Sequence, residues 1–325
     1  MPTTVPPHSA TAPHRISVII PAHNEAALIG RVASTVLAQR PAGAELEVIV
    51  VNDGSTDDTA AVARAAGAQV LALAGTAGNP AAARNRGAAA ATGEILVFLD
   101  ADCLPAPGWL AALLGAHSRG AGAVGGALDL PSGLPASARC DYYCGWYHVH
   151  SGRRAGPVSN HPPGNFSIRR DLFATTSGFV ERHPIAYAHE ELAMQAALWR
   201  AGAAVQFEPA AVAWHRNRPG WGNLLRRNYR WGYSALESKS ETGAARAAWI
   251  YRHPYLVLLA SVPLVPLQAA YIVGCWVRAG RWEPLAFAPV VLAARVAYTA
   301  GLVAGGLRWL ARRGAPASAY RPRWE

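Results

Sequence analysis

Cysteine is scarce: the 325 residues hold 4, at Cys103, Cys140, Cys144 and Cys275, with no spacing that makes a disulfide framework. No Gly-x-Gly-x-x-Gly follows the first apolar run, so the dinucleotide-binding fingerprint is missing where it would lie and a dehydrogenase is disfavoured. Residues 1–15 lack the apolar core of a signal peptide and, rich in Pro, Thr and His, read as a flexible tail. Acidic residues are few in the C-terminal third. Residues 200–325 carry 17 Lys and Arg against 5 Asp and Glu, whereas residues 1–199 carry 13 against 15, so the net charge of +10 belongs to the C-terminal end. Nucleic acid would suit such a balance, but the region has no recognised reading motif and is broken by long apolar stretches. An anionic membrane surface is the better partner. No internal repeat is evident.

Several apolar runs end in residues suited to ligands. Ser17-Val18-Ile19-Ile20-Pro21 is rich in β-branched residues and closed by proline, which predicts a buried first strand leading through Ala22-His23-Asn24-Glu25 into a helix over Ala26 to Gln39. Glu47 to Val51 predicts a second strand, followed by Asn52 to Thr59, where Gly54 permits a tight turn and Ser55, Thr56 and Asp57 are N-cap types for the next helix. Gln69 to Leu73 is a weaker third strand, and Ala81 to Ala91 reads as a helix carrying Arg84, Asn85 and Arg86. Glu94 to Leu99 then runs into Asp100-Ala101-Asp102. This alternation predicts an α/β fold with a mostly parallel sheet covered by helices on both faces, binding its ligand at the C-terminal tips of the strands. In an extended segment residues i and i+2 point the same way, so Asp100 and Asp102 are expected to converge on one divalent cation, or on the ribose and phosphates beside it. An acidic turn, and for Asp53 a capping aspartate, are the plain alternatives.

Taken in order, Ser17 to Glu25, Val50 to Asp57, Arg84-Asn85-Arg86-Gly87 and Phe98 to Asp102 resemble the successive signatures of family 2 glycosyltransferases with the GT-A fold, a Rossmann-like nucleotide-diphospho-sugar transferase fold. The resemblance runs from about Ile16 to His215. It implies transfer of a sugar from a nucleotide-activated donor with inversion at the anomeric carbon. Asp53 then matches the aspartate that recognises the base, with Pro21, Ala22 and Glu25 lining the same pocket. Arg84 matches the basic residue near the donor, Asp100 faces ribose or metal, and Asp102 binds the Mg²⁺ or Mn²⁺ that bridges the diphosphate. Pro163 to Arg170, which includes Asn165, resembles the segment beneath the acceptor. Family members usually carry Glu-Asp where this chain has Glu190-Glu191, which maps the catalytic base onto Glu191 with Glu190 as the other candidate. The change from aspartate adds a methylene, and catalysis is sensitive to shifts of about 1 Å. The alternative is that both glutamates face the dipole of a first helical turn. His215, ending the run Ala211 to His215, matches a histidine that completes the metal site, a role suited to neutral imidazole. Arg226 to Gly232 is similar to the Gln-x-x-Arg-Trp region with Arg227 in place of the glutamine, which puts a processive synthase in doubt. Arg230 and Trp231 are its acceptor or diphosphate contacts, and a basic helix lying against lipid headgroups is the alternative.

Pro254 to Val277 has no charged residue over 24 positions, enough to cross a bilayer as a helix despite Pro263 and Pro266. Pro284 to Leu307 is similar but has the costly Arg295 at its centre. The flanking arginines favour a hairpin with both ends cytoplasmic, and a buried soluble helical pair is the alternative. The expected organisation is a tail (1–15), a catalytic domain (16–232), a linker or interfacial helix (233–253), a membrane hairpin (254–307) and a basic tail (308–325). Cys140 and Cys144 with His148 and His150 loosely sketch a zinc site, while the Tyr142 to Tyr147 stretch fits better as a stacking surface for an acceptor sugar or lipid. The expected protein is a metal-dependent enzyme of the plasma or inner membrane, its catalytic domain cytoplasmic, acting on a lipid-linked or membrane-proximal glycan of the cell envelope. Its rivals are a nucleotidyltransferase and a noncatalytic membrane scaffold of the same fold.

Overall fold

The structure, a computed structural model, describes residues 15–73, 78–181, 189–242 and 248–312. The chain divides into two compact units. The first comprises the chain up to Gly133, His148–Glu181 and Ala193–Arg216; the second takes Leu134–Tyr147, the short stretch ending at Leu192, and everything from Asn217.

The first unit opens with β1 (Arg15–Ala22), α1 (Ala26–Leu37), β2 (Glu45–Asn52), α2 (Thr59–Ala65), β3 (Gln69–Ala72) and α3 (Pro80–Ala90). It continues through β4 (Ile95–Leu99), β5 (Cys103–Pro105), α4 (Trp109–Ser118) and β6 (Ala123–Asp129). After α5 (Ala136–Gly145), which lies in the second unit, come β7 (Gly156–Val158), β8 (Asn165–Arg169), α6 (Arg170–Ala174), α7 (Leu192–Arg200) and β9 (Val205–His215). The strands form one sheet in the order β3-β2-β1-β4-β8-β6-β9-β5, with β7 paired to β9.

The first half of the sheet is wholly parallel, as the alternation of strand and helix predicts. β4 is buried at every position, the pattern of a strand covered on both faces. Phe98 packs there against Phe166, Phe173 and Phe179 with ring centroids 6.3, 5.7 and 4.9 Å away, and truncating such a residue to alanine costs about 3–5 kcal/mol. Asn79 is the N-cap of α3, its side chain accepting from the Ala82 amide, with Pro80 in the first turn.

Two antiparallel pairings shape the rim. β8 runs against β4, so its first residue, Asn165, lies opposite Leu99, and the loop before β8 arrives where Asp100 leaves the sheet. β5 runs against β9, which sets Cys103 opposite His215. Neither pairing leaves a mark in local sequence pattern.

The second unit consists of α5 with α8 (Trp221–Thr242), α9 (Ala248–Tyr251), α10 (Pro254–Ser261), α11 (Val265–Arg278), α12 (Glu283–Ala286) and α13 (Ala288–Arg312). The charge-free segment is not one helix. α10 and α11 meet at 79°, with Pro263 in the break and Pro266 in the first turn of α11, where a missing N–H does least harm. α13, by contrast, runs unbroken for 25 residues and is the one described helix long and apolar enough by itself to cross a membrane. Its arginine is accommodated: Arg295 stacks 4.1 Å from the Tyr298 ring and donates to Asn228 Oδ1 at 3.4 Å. Tyr142 and Tyr143, expected to face sugar or lipid, are core residues packed on Trp276 at 5.1 Å each.

Candidate active site

The loops after β1 and β2 are tied to each other. Asn24, at φ 55°, accepts from the Thr56 amide at 2.8 Å and donates its own amide to Ser55 Oγ at 2.9 Å. Glu25 N donates to Thr59 Oγ1 at 2.8 Å and Ala26 N to Asp57 Oδ2 at 3.1 Å. Ser55 and Thr56 therefore brace the facing loop rather than cap α2, whose N-cap position is Asp58. Pro21 and Ala22 end β1 beside Val51 and Asn52. Asp53 is buried next to them: its amide donates to Ala22 O at 2.9 Å, and its carboxylate accepts from the Asn79 amide.

Asp100-Ala101-Asp102 is a turn, closed by Cys103 N donating to Asp100 O at 3.0 Å. Strand alternation therefore does not place the two carboxylates, because β4 has already ended at Leu99 and the Asp100 amide goes to Gly164 O at 3.1 Å. The two side chains have different partners. Asp100 Oδ1 accepts from Arg84 Nη2 at 2.6 Å, and the Arg84 guanidinium lies 5.5 Å from the Phe179 ring centroid. Asp102 Oδ1 instead lies 3.8 Å from His215 Nε2, and the Arg216 amide donates to Asp102 O at 2.9 Å.

Among the described residues, Asp102, Cys103 and His215 form the one group of such side chains whose ligand atoms all lie within 4.8 Å of one another. Burial, reinforced by the charges of Asp102 and Asp100, pushes the Cys103 thiol well above its ordinary range, and Mg²⁺ and Mn²⁺ prefer oxygen and imidazole donors to sulfur. What remains is a carboxylate and an imidazole, a donor set suited to Mg²⁺ or Mn²⁺ with positions left for water or phosphate oxygen. Cys140, Cys144, His148 and His150 form no such group, which removes the zinc alternative among the described residues.

Asn165 is spent on the scaffold. It is fully buried, accepting from Trp109 Nε1 at 2.8 Å and donating to Ala127 O and Ala211 O at 2.8 and 2.9 Å, so its side-chain amide is committed to joining three segments of the sheet domain. Two other asparagines, Asn85 and Asn79, have roles that the sequence pattern did not assign. Asn85 clamps the backbone of Phe179 at both N and O (3.0 and 2.8 Å), and Asn79 joins the Asp53 loop to Glu181 O at 3.1 Å. For Asn79 a signal existed, since Asn-Pro marks the start of a helix.

Glu190 and Glu191 belong to the second unit, in a turn before α7, and both are buried. They precede the helix rather than occupy its first turn; Ala188, just before them, lies outside the described residues. His189, at φ 67°, sets its Nδ1 2.8 Å from Ser234 Oγ. On α8, Arg227 pairs with Asp141 Oδ1 at 2.5 Å and stacks 4.5 Å from the Trp231 ring, with Asn217 donating to the other Asp141 oxygen at 2.7 Å. Arg227 is thus committed to a buried aspartate, whereas Arg230 is exposed and Trp231 half-buried.

The family model described as Glycosyl transferase family 2 matches residues 17–176. The glycosyltransferase AglE of Haloferax volcanii is 30% identical over 230 residues, which cover 68% of this chain and 73% of that protein. The pre-mycofactocin glycosyltransferase of Mycobacterium tuberculosis is 30% identical over 242 residues covering 70% of this chain and 48% of its own, so the chain spans about half the length of that relative. Among solved structures, glucosyl-3-phosphoglycerate synthase from Mycobacterium tuberculosis in complex with Mn²⁺, UDP-glucose and phosphoglyceric acid is 25% identical, with a TM-score of 0.52 over 73% of this chain and 83% of that one.

Proposed function

This chain belongs to glycosyl transferase family 2, and from that premise we propose that it moves a hexosyl-type sugar, with inversion, from a nucleotide-diphosphate donor to a hydroxyl of a lipid-linked or membrane-proximal glycan. The observation that carries the reading is the approach of His215 to Asp102 at 3.8 Å, on the strand-tip rim that also bears Asp53 and the Arg84–Asp100 pair. Asp53 accepts from the imide edge of the base, with Pro21, Ala22 and Glu25 beside it. Arg84 holds Asp100 toward the ribose. Asp102 and His215 hold Mg²⁺ or Mn²⁺, the ion class found with UDP-glucose in the mycobacterial synthase, and a cation bound there neutralises charge on the departing diphosphate. Glu191 takes the proton of the attacking acceptor hydroxyl, with Glu190 the alternative base, and Arg230 and Trp231 contact the acceptor.

Membrane association is supported by the basic C-terminal third and by α13, and the catalytic side is assigned to the cytoplasm, where nucleotide sugars are made available. Domain limits at 16–232, 233–253, 254–307 and 308–325 go with that assignment. The test is turnover of a panel of nucleotide sugars by the purified full chain. Release of nucleoside diphosphate that needs added Mg²⁺ or Mn²⁺ is expected; release of pyrophosphate would mark a nucleotidyltransferase, and no turnover with any donor would favour a scaffold.

A further inference from the structure

Among the described residues, the large apolar side chains left exposed all lie between Trp221 and Leu307, in the second unit. They concentrate where the uncharged segment bends. Tyr255 and Leu259 on α10, Val262 and Leu264 in the break, and Leu267 and Tyr271 on α11 follow one another at spacings of two to four residues, and Leu259 is 76% exposed. A strip of this extent is not left to water without a partner.

Length limits what the bent pair can do. α10 has 8 residues and α11 has 14, which at about 1.5 Å per residue reach roughly 12 and 21 Å, each short of the roughly 30 Å hydrocarbon core. With 79° between them the pair is either a broken span or a re-entrant wedge, and the placement of α13 decides between the two.

α13 has the length to cross, but one face is closed by a charged partner. A Cβ on Gly232 of α8 would overlap Tyr298 O, and one on Gly301 or Gly305 would overlap the carbonyls of Tyr229 or Tyr233, so the two helices meet backbone to backbone. The seam extends from Arg295 with Asn228 to Trp309, whose Nε1 donates to Glu241 Oε1 at 3.2 Å. α8 carries Arg226, Arg227, Arg230, Glu237, Lys239 and Glu241, and charges on an element beside α13 through this whole stretch would stand at bilayer depth if α13 crossed. The pair is better placed along a surface, with the outer stripe of α13, Leu292, Val296 and Leu307, toward lipid.

Charge names the kind of lipid. From residue 248 to 312 the chain carries Arg252, Arg278, Arg281, Arg295, Arg308 and Arg312, and Glu283 is the sole acidic residue, already engaged by Arg139 Nε at 2.8 Å and Tyr143 Oη at 2.7 Å. Exposed Trp249 and Trp282 flank the strip as interfacial tryptophans do.

We infer that the second unit is a monotopic platform: the α10–α11 wedge enters one leaflet of an anionic bilayer and returns, α13 lies along the same leaflet, and the 279–282 turn stays on the side from which the wedge entered. This gives a mode to the membrane association proposed above, and its readout does not depend on sugar transfer. In intact cells expressing the full chain with Cys275→Ser and Arg281→Cys, the other cysteines being buried, a membrane-impermeant maleimide should label position 281 only after the cells are opened. Labelling of intact cells from outside would overturn the inference in favour of a spanning hairpin. With the purified full chain, flotation with phosphatidylglycerol vesicles should exceed that with phosphatidylcholine vesicles, and Leu259→Glu with Val262→Glu should lower it about tenfold or more while nucleotide-sugar hydrolysis in solution is kept. Unchanged flotation of that double variant, or a stable soluble dimer that ignores vesicles, would overturn it as well.

Discussion

Gly164 sits so close to Asp100 that a Cβ at that position would overlap the Asp100 carboxylate, while its carbonyl accepts the Asp100 amide at 3.1 Å. The antiparallel entry of β8 beside β4 creates this approach, and a side chain here would push Asp100 off Arg84. Gly164→Ala should therefore lower donor turnover by roughly 10- to 100-fold, with a strain cost of about 1–3 kcal/mol in stability. Steady-state kinetics beside a thermal melt checks this, and parent-like kcat/KM would show that Asp100 can move without consequence.

The Asp102–His215 pair gives a graded expectation. Asp102→Ala should abolish metal-stimulated turnover, whereas His215→Ala should leave a weakened response that needs more Mn²⁺ to saturate. A Mn²⁺ titration of activity separates the two, and full turnover of Asp102→Ala in the presence of chelator would end the metal assignment.

For the buried acidic pair, loss of a general base costs about 10²–10⁴-fold in the chemical step. Glu191→Gln should bind donor normally and transfer slowly by that margin. If Glu190→Gln shows the pattern instead, the base is Glu190; transfer at parental rate by both variants would place the base elsewhere.

Acid should destabilise the first unit over a defined window. Burial pulls the His117 imidazole down from 6.5 to about 4, against the pull of its hydrogen bond to Ala121 O at 2.8 Å, and burial does the same to His161. Above pH 6.5 both states of the chain hold these rings neutral and the stability is complete. Between pH 6.5 and 4 the unfolded chain takes up protons that the folded one refuses, so stability falls, by roughly 2 kcal/mol for His117 at pH 5. His117→Asn should flatten the fall in melting temperature across that window by about half. An unchanged slope would mean that His117 is not one of the groups responsible.

The parallel half of the sheet was legible because its information is local: Ser17 to Pro21, Glu47 to Val51 and Glu94 to Leu99 are apolar runs with β-branched residues, and each ends at the rim. The acidic triplet was legible as a site but not as a shape. Whether Asp100 and Asp102 share a face depends on where β4 stops, and that is settled by Gly164, far along the chain. Asn165 misled for a related reason, since a polar residue at a strand start looks available until β6, β8 and β9 close around it. In the second unit the ranking of the two apolar segments reversed. Absence of charge made Pro254 to Val277 look the better span, but its prolines decided its geometry, while Arg295 was tolerable because α8 supplies Asn228. Partners contributed from a distance do not register in a window of neighbouring residues.

The backbone contact between α8 and α13 also bears on the order in which the protein can be made. α8 leaves the ribosome with the Gly232 face unfilled, and its complement at Gly301 and Gly305 does not exist until the helices between have been synthesised. The second unit must therefore complete late and across a long loop, which slows closure and prolongs exposure of apolar surface in the nascent chain. A chain ended before Ala288 would leave the Gly232 face of α8 without the helix that packs on it. Such a shortened protein is expected to aggregate, so point substitutions on the outer surface, which leave the seam whole, are the informative way to detach it from lipid.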